Sequence, residues 1–83
     1  MKKSEIEETV LRAVRKKVYK GFEDKVELGT LLKDLDLDSL DCVEIIVELE
    51  RVFGININEG LFYDVKVVDD LVKVLEGLDL MDS

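Results

Sequence analysis

One hydroxyl stands among closely spaced carboxylates in the stretch DLDLDSLD, residues 34–41. Asp34, Asp36 and Asp38 alternate with leucine, and Ser39 then breaks the alternation. Three structures would use this pattern: a half-buried strand, a calcium-binding loop, or a loop that presents Ser39 at the start of a helix. Only the third offers a hydroxyl for chemical modification.

Neither the strand nor the calcium loop fits the surrounding residues. A strand needs a partner, the chain has no second alternating segment, and aspartate is unfavourable in strands. An EF-hand loop needs glycine at its sixth position and a bidentate glutamate at its twelfth, where this chain has Ser39 and Ile45. We therefore expect no physiological metal site.

The helical interpretation depends on which residue is the N-cap. If Asp38 caps the helix, with Asp41 adding a carboxylate to the first turn, the hydroxyl of Ser39 is not needed for capping. It then lies at a helix N-terminus, where a phosphate group is well tolerated. Serine and aspartate are equally good caps, so spacing alone leaves open whether Ser39 is the cap itself.

Most catalytic arrangements are excluded by composition. The chain has no histidine, which rules out Ser–His and Cys–His catalysis, and it has no Gly-rich phosphate loop. Cys42 falls on the apolar face of the predicted helix, where it is expected to be a buried small hydrophobic residue. We expect a protein that is not an enzyme.

Length and charge restrict the class further. The 83 residues suffice for a single domain, 1–83, and the single cysteine fits a reducing compartment.

Residues 1–33 have a net charge of +3 and residues 34–83 a net charge of −11. Such an acidic chain is expected to avoid nucleic acid and anionic membranes and to attract basic proteins, although acidity also serves solubility alone. No apolar run is long enough for a signal peptide or a membrane span, so we expect a cytoplasmic protein. We also expect it to be a monomer.

Apolar periodicity predicts an all-α fold, a small four-helix bundle with three main helices and one short helix. The first helix is predicted to begin at a capping box, Ser4 and Glu7, and to end at Gly21. A long loop, residues 21–38, with a helical turn near residues 31–35, leads to the second helix, residues 39–53, which Gly54 closes. A short helical turn at residues 59–63 and a last helix at residues 68–78 complete the bundle.

The second helix has two distinct faces. The face predicted to be core carries Cys42, Ile45, Ile46, Leu49, Val52 and Phe53. The opposite face carries Leu40, Glu44, Val47, Glu48 and Arg51, with Asp41 and Val43 at its margins. Two apolar residues ringed by acids on a solvent-facing surface are typical of a docking patch.

The segment LKDLDLDSLDCVEIIVELERVFGI resembles the core signature of acyl carrier proteins, and VKVVDDLVKVL is similar to the last helix of that family. The resemblance implies that a phosphopantetheinyl transferase attaches 4′-phosphopantetheine from coenzyme A to Ser39, beside Asp38 and Leu40. The thiol of this arm would carry acyl groups as thioesters in fatty-acid or related biosynthesis. The implied partners are the transferase and acyl-transfer, condensing and reducing enzymes with basic surfaces, which dock on Asp38, Leu40, Asp41, Glu44, Val47 and Glu48.

Within this resemblance, we predict that the acyl chain is sheltered between the second helix and residues 55–68. The predicted lining is aliphatic apart from one aromatic residue: Ile45, Ile46, Leu49, Ile57 and Phe62.

The chain departs from the family pattern at Asp36, where glycine is common, at Arg51, where acids are common, and at Val67, where threonine often caps the last helix. The turn after Ile55 also lacks the frequent proline. Two alternatives to a fatty-acid carrier stay open, namely a carrier dedicated to a polyketide, peptide or aminoacyl pathway and an unmodified acidic adaptor for basic proteins.

Overall fold

The computed structural model describes residues 2–78, apart from the side chains of Glu59, Phe62 and Tyr63. Three α-helices span this part of the chain: α1 (Lys3–Arg15), α2 (Ser39–Phe53) and α3 (Val68–Glu76). Three 3₁₀ segments connect them: Glu23–Lys25, Leu32–Leu35 and Glu59–Asp64. The described residues contain no strand, only one isolated antiparallel bridge. The all-α prediction is confirmed, whereas the expected short fourth helix is a 3₁₀ segment.

The predicted boundaries of α1 were wrong at both ends. The helix begins at Lys3, after the extended residue Lys2, and no side chain caps it, so the predicted capping box at Ser4 does not form. It ends at Arg15, and Gly21, with φ of 98°, makes a later turn. Val18 continues the helical spacing and is buried, but it reaches the core from non-helical backbone.

The long connection between α1 and α2 is held against the start of α3. The N–H groups of Val68 and Asp69 donate to the carbonyls of Thr30 and Leu28, at 3.0 and 2.8 Å. In the other direction, the N–H of Leu32 donates to the carbonyl of Lys66 at 2.9 Å. Leucines of this connection pack on the core, and the predicted helical turn near residues 31–35 is confirmed as a 3₁₀ segment. The connection is therefore a fixed support for the residues that follow it.

The boundaries of α2 are those that the sequence predicts. Asp38 precedes its first turn, and Gly54 ends it with a left-handed conformation, φ 67° and ψ 38°. Just beyond this end, the carboxylate of Glu50 accepts a hydrogen bond from the N–H of Ile57 at 2.7 Å. The turn after α2 is thus tied back to the helix by one of its own side chains.

A single apolar core lies between the three helices. α1 and α2 run antiparallel. Lys17, just after α1, pairs with Glu44 near the start of α2. Thr9 and Arg12, earlier in the chain, share a cleft with Val52 near the end of α2. One face of α2 is buried through Ile45, Ile46 and Leu49.

Three residues predicted to lie in the core are not fully buried. Val52 is 48% exposed because it faces the polar cleft beside α1, and Cys42 and Phe53 are half-buried. α3 contributes Val68, Leu71, Val72 and Leu75 to the core, as predicted, while Leu78 lies half-buried after its end.

Candidate functional site

Ser39 is the first residue of α2, and it is exposed. Asp38 is the N-cap: its Oδ1 accepts a hydrogen bond from the N–H of Asp41 at 2.8 Å, and Asp41 Oδ2 accepts one from the N–H of Asp38 at 3.3 Å. The two aspartates form a reciprocal capping box. The open choice between Asp38 and Ser39 is thereby decided in favour of Asp38.

This cap leaves Ser39 available for chemistry. Its hydroxyl makes no hydrogen bond to any residue that the structure describes, and neither do the N–H groups of Ser39 and Leu40. Those two N–H groups are unsatisfied donors at the positive end of the helix dipole. The hydroxyl of Ser39 therefore lies where a phosphate ester would find both N–H donors and a favourable field.

The chain delivers Ser39 through a left-handed residue. Asp36 ends the 3₁₀ segment with φ 57° and ψ 35°, in the described chain the one non-glycine residue with positive φ. Leu35, before it, is fully buried, and Leu37, after it, packs partly on the core. The turn at Asp36 is thus anchored on both sides, which fixes the point where α2 begins.

An apolar stripe extends along α2 from Ser39. Leu40, Val43 and Val47 are 64%, 41% and 54% exposed, and residues three and four apart lie on the same side of a helix. The exposure of Leu40 and Val47 agrees with their predicted place on the solvent-facing side of α2. Val43 was assigned to the margin, although its spacing of three from Leu40 and four from Val47 already placed it in the stripe.

Two of the acids beside this stripe form ion pairs, which their positions in the sequence did not indicate. Glu44 pairs with Lys17, and Glu48 pairs with Lys16 at 3.3 Å and with both of its oxygens on Arg51, at 2.7 and 2.8 Å. The hydrogen bonds from Arg51 and then Lys16 lower the pKa of Glu48, and the hydrogen bond to Glu44 raises the pKa of Lys17. These contacts favour the charged forms of Glu48 and Lys17.

Cys42 lies one turn after Ser39 and is half-buried rather than buried as predicted. Burial, followed by the nearby carboxylates of Asp41 and Asp38, raises the pKa of its thiol. A thiol with a raised pKa is mostly protonated at neutral pH and is a poor nucleophile. The structure gives Cys42 no catalytic setting.

Four of the five residues predicted to line the acyl chain lie in the core. Ile45, Ile46, Leu49 and Ile57 are buried, and the side chain of Phe62 lies outside the described residues. A cavity of about 430 Å³ lies elsewhere, between the long connection and the start of α3. It is lined by Leu31, Leu32, Lys33, Val65 and Lys66. The lining therefore stays a prediction, and it requires the helices to separate.

Two further findings concern the described part of the chain. Among the described residues, no group of three acidic or cysteine side chains could hold a metal ion, and this includes the set Asp34, Asp36 and Asp38. Within residues 2–78, no helix has the length and apolarity needed to cross a bilayer.

Comparison with known proteins gives consistent matches. The family described as the phosphopantetheine attachment site matches residues 9–75. An acyl carrier protein of Amoebophilus asiaticus is 40% identical over 73 residues, which are 88% of this chain and 91% of that protein. Acyl carrier protein 1, chloroplastic, of Spinacia oleracea is 34% identical over 76 residues, 92% of this chain but 55% of that protein. An acyl carrier protein of Coprothermobacter proteolyticus is 31% identical over 68 residues, 81% of this chain and 83% of that protein. The chain thus spans little more than half of the spinach protein.

Proposed function

The chain belongs to the phosphopantetheine-binding acyl carrier proteins, and we propose that it carries acyl groups on a 4′-phosphopantetheine arm attached to Ser39. The observation that carries this proposal is the exposed hydroxyl of Ser39 at the first position of α2, left free by the Asp38–Asp41 capping box. Ser39 also lies within residues 9–75, which match the family. The protein acts as a substrate and carrier for enzymes of fatty-acid or related acyl biosynthesis, not as a catalyst.

The residues around Ser39 suit a phosphodiester. The N–H groups of Ser39 and Leu40 can donate to its oxygens, and the helix dipole favours the negative charge. The carboxylates of Asp38 and Asp41 each bind a backbone N–H of the cap, which keeps the first turn of α2 in place during modification. When bound, the arm supplies the terminal thiol that forms thioesters.

We propose that partner enzymes dock on the stripe of Leu40, Val43 and Val47. Burying such side chains contributes on the order of 1 to 2 kcal/mol each, more than an exposed ion pair contributes. Asp41, Glu44 and Glu48 flank the stripe. Asp41 provides attraction for the basic surfaces of the transferase and of acyl-transfer, condensing and reducing enzymes, and Glu44 and Glu48 add to it where a partner displaces the basic side chains that pair with them.

Several finer features belong to the same proposal. Residues 1–83 act as one domain and as a monomer in the cytoplasm. The 3₁₀ segment Glu59–Asp64 takes the place of the short helix in a four-helix bundle. The acyl chain enters between α2 and residues 55–68, where Ile45, Ile46, Leu49, Ile57 and Phe62 line its path. Methyl resonances of the four aliphatic residues should shift when medium-length acyl chains are attached, and shifts confined to the neighbours of Ser39 would place the chain outside.

Intact mass after incubation with coenzyme A and a phosphopantetheinyl transferase tests the attachment. The protein should gain one phosphopantetheine, Ser39→Ala should gain none, and the control Ser4→Ala should be modified like the unaltered protein. Modification of Ser39→Ala would show that another residue carries the arm. A protein that gains no mass under conditions that modify another carrier would refute the proposed function.

A further inference from the structure

Two lysines that directly follow α1, Lys16 and Lys17, reach the acidic face of α2. Lys17 Nζ lies 2.5 Å from Glu44 Oε2, and Lys16 Nζ lies 3.3 Å from Glu48 Oε2. Glu44 and Glu48 are one turn apart, so the two lysines cover consecutive turns of the same helix face. These ion pairs join residues that are far apart in the sequence, and they exist only because α1 packs antiparallel to α2.

The ion pairs lie on the surface proposed for docking. Glu44 and Glu48 flank Val47 in the exposed stripe, and Lys17 comes from the end of α1 that lies nearest to the start of α2. Arg51 binds both oxygens of Glu48 from the other direction. Three cations of the chain itself thus face two of its carboxylates, so the acidic charge of Glu44 and Glu48 that a partner meets beside the stripe is largely compensated.

We propose that Lys16 and Lys17 are specificity-determining residues that shield Glu44 and Glu48 from basic partners. This inference rests on the proposed function, since it concerns the same docking face. A partner that binds mainly through lysine or arginine must displace the chain's own lysines and gains little. A partner that also contacts the apolar stripe and the acids beside Ser39 loses the same small amount at Glu44 and Glu48 but keeps the affinity of its other contacts. The shield therefore favours partners that recognise the apolar stripe over partners attracted by charge alone.

The expected size of the effect follows from the exposure of the pairs. All four side chains are partly solvated, and Lys16 is more than half exposed. An exposed ion pair of this kind changes an equilibrium constant by about 1.5- to 5-fold, and salt reduces the change further. The shield is weak enough to be displaced and strong enough to alter competition between partners.

Lysine-to-glutamine variants test the shield, because each removes one positive charge either from an ion pair or from a control position. At low salt, Lys17→Gln and Lys16→Gln should each raise kcat/KM for modification of Ser39 about 1.5- to 5-fold. Lys20→Gln, the control, removes one charge from an exposed position just after Lys17 that has no ion pair within the described residues. Its increase should be clearly smaller, and Lys17→Arg should behave like the unaltered protein. Equal increases in all three glutamine variants would overturn the proposal, because bulk charge would then explain them.

A double-mutant cycle separates the ion pair from net charge. Glu44→Gln should reduce kcat/KM only slightly in the unaltered protein, where Lys17 already occupies the carboxylate. In the Lys17→Gln background the same change should reduce kcat/KM about 1.5- to 5-fold more, because Glu44 is then free to bind the partner. An identical effect of Glu44→Gln in both backgrounds would mean that Lys17 does not compete with partners.

Binding of an arginine-rich peptide tests the shield independently of the proposed function. Titration of the peptide against each variant needs no modification of Ser39, and Lys17→Gln should tighten binding more than Lys20→Gln does. If Ser39 is never modified while the peptide shows this difference, the proposed function fails and the shield stands. If Ser39 is modified and neither assay separates Lys17 from Lys20, the shield fails alone.

Discussion

Asp70 Oδ2 accepts a hydrogen bond from the N–H of Val67 at 3.1 Å, and Val67 has no side-chain oxygen with which to return one. The two residues therefore form half of a capping box at the start of α3, since Val67 occupies the N-cap position. Asp70 Oδ2 also accepts from the N–H of Lys66 at 2.9 Å. The N-cap side chain offers no acceptor to the N–H of the third helical residue, Asp70, which instead donates to the backbone carbonyl of Val67 at 3.0 Å.

Val67→Thr should stabilise the protein by about 0.5 kcal/mol, the low end for an N-cap, because its hydroxyl would give the N–H of Asp70 a second acceptor beside the carbonyl of Val67. Urea unfolding of the variant measures the gain, and Val67→Ala is the control that removes the side chain without adding an acceptor. A threonine variant less stable than the unaltered protein would mean that the methyl group lost from half-buried Val67 matters more than a cap, and one no more stable than the alanine variant would mean that the hydroxyl does not cap α3.

Stability at acidic pH should depend on Asp70. Hydrogen bonds from the N–H groups of Lys66 and Val67 lower the pKa of the Asp70 carboxyl in the folded state. Its carboxylate therefore stabilises the fold above about pH 4, the ordinary aspartate value, and this contribution is lost as pH falls through the lowered folded-state pKa. Asp70→Asn should be less stable than the unaltered protein at pH 7, and the difference should shrink towards about pH 2.

The matched control for that experiment is Asp69→Asn. Asp69 lies in the same turn of α3, but its carboxylate accepts no hydrogen bond from the described residues. Free energies of unfolding at several pH values compare the two variants. A difference between Asp70→Asn and the unaltered protein that does not change with pH would assign the effect to packing instead of charge.

The left-handed turn at Asp36 should be sensitive to side-chain type. Glycine adopts this conformation freely and asparagine tolerates it, whereas alanine costs about 1 kcal/mol there. Asp36→Gly and Asp36→Asn should be about as stable as the unaltered protein, and Asp36→Ala should be less stable than Asp36→Asn, which removes the same charge. Equal stability of the alanine and asparagine variants would mean that the turn relaxes to a negative φ.

Docking through the apolar stripe can be tested with two valines of the same helix. Val47 and Val52 are 54% and 48% exposed, but Val52 lies in the cleft beside α1 and not on the stripe. Val47→Ala and Leu40→Ala should weaken binding to the transferase about 5- to 30-fold, mainly through faster dissociation. Val52→Ala should change binding little, and an equal loss in this control would locate docking outside the stripe.

The site was easier to predict from the sequence than the ends of α1. α2 has an aspartate cap, a regular apolar face and a closing glycine, and these three signals agree, so its bounds were correct. α1 was predicted to reach Gly21 because Val18 continues the helical spacing. Periodicity reports which residues are buried, and Val18 is buried, but periodicity does not report whether the backbone that carries a residue is helical.

The contacts of Glu44 and Glu48 could not be predicted from the sequence. Glu44 lies on the partly exposed side of α2 as predicted, but Glu48, predicted to lie there too, has a side chain only 21% exposed and lines the cleft beside α1. The lysine partners of both acids follow the end of α1. Only the antiparallel packing of α1 and α2 brings Lys16 and Lys17 to them. The same limit applies to Val52, whose spacing fits the core face of α2 but whose neighbours across the cleft are polar.

The attachment of the long connection to α3 has a consequence for the order of folding. The N–H groups of Val68 and Asp69 find their acceptors, Thr30 and Leu28, about forty residues earlier in the chain. Because the N-cap side chain of α3 supplies no acceptor, an isolated α3 would fray at its first turn. We expect α3 to form late, once closure of this large loop has brought the two segments together, whereas the capped α2 can form from local contacts. Transition-state analysis should then give higher φ-values in α2 than at the start of α3.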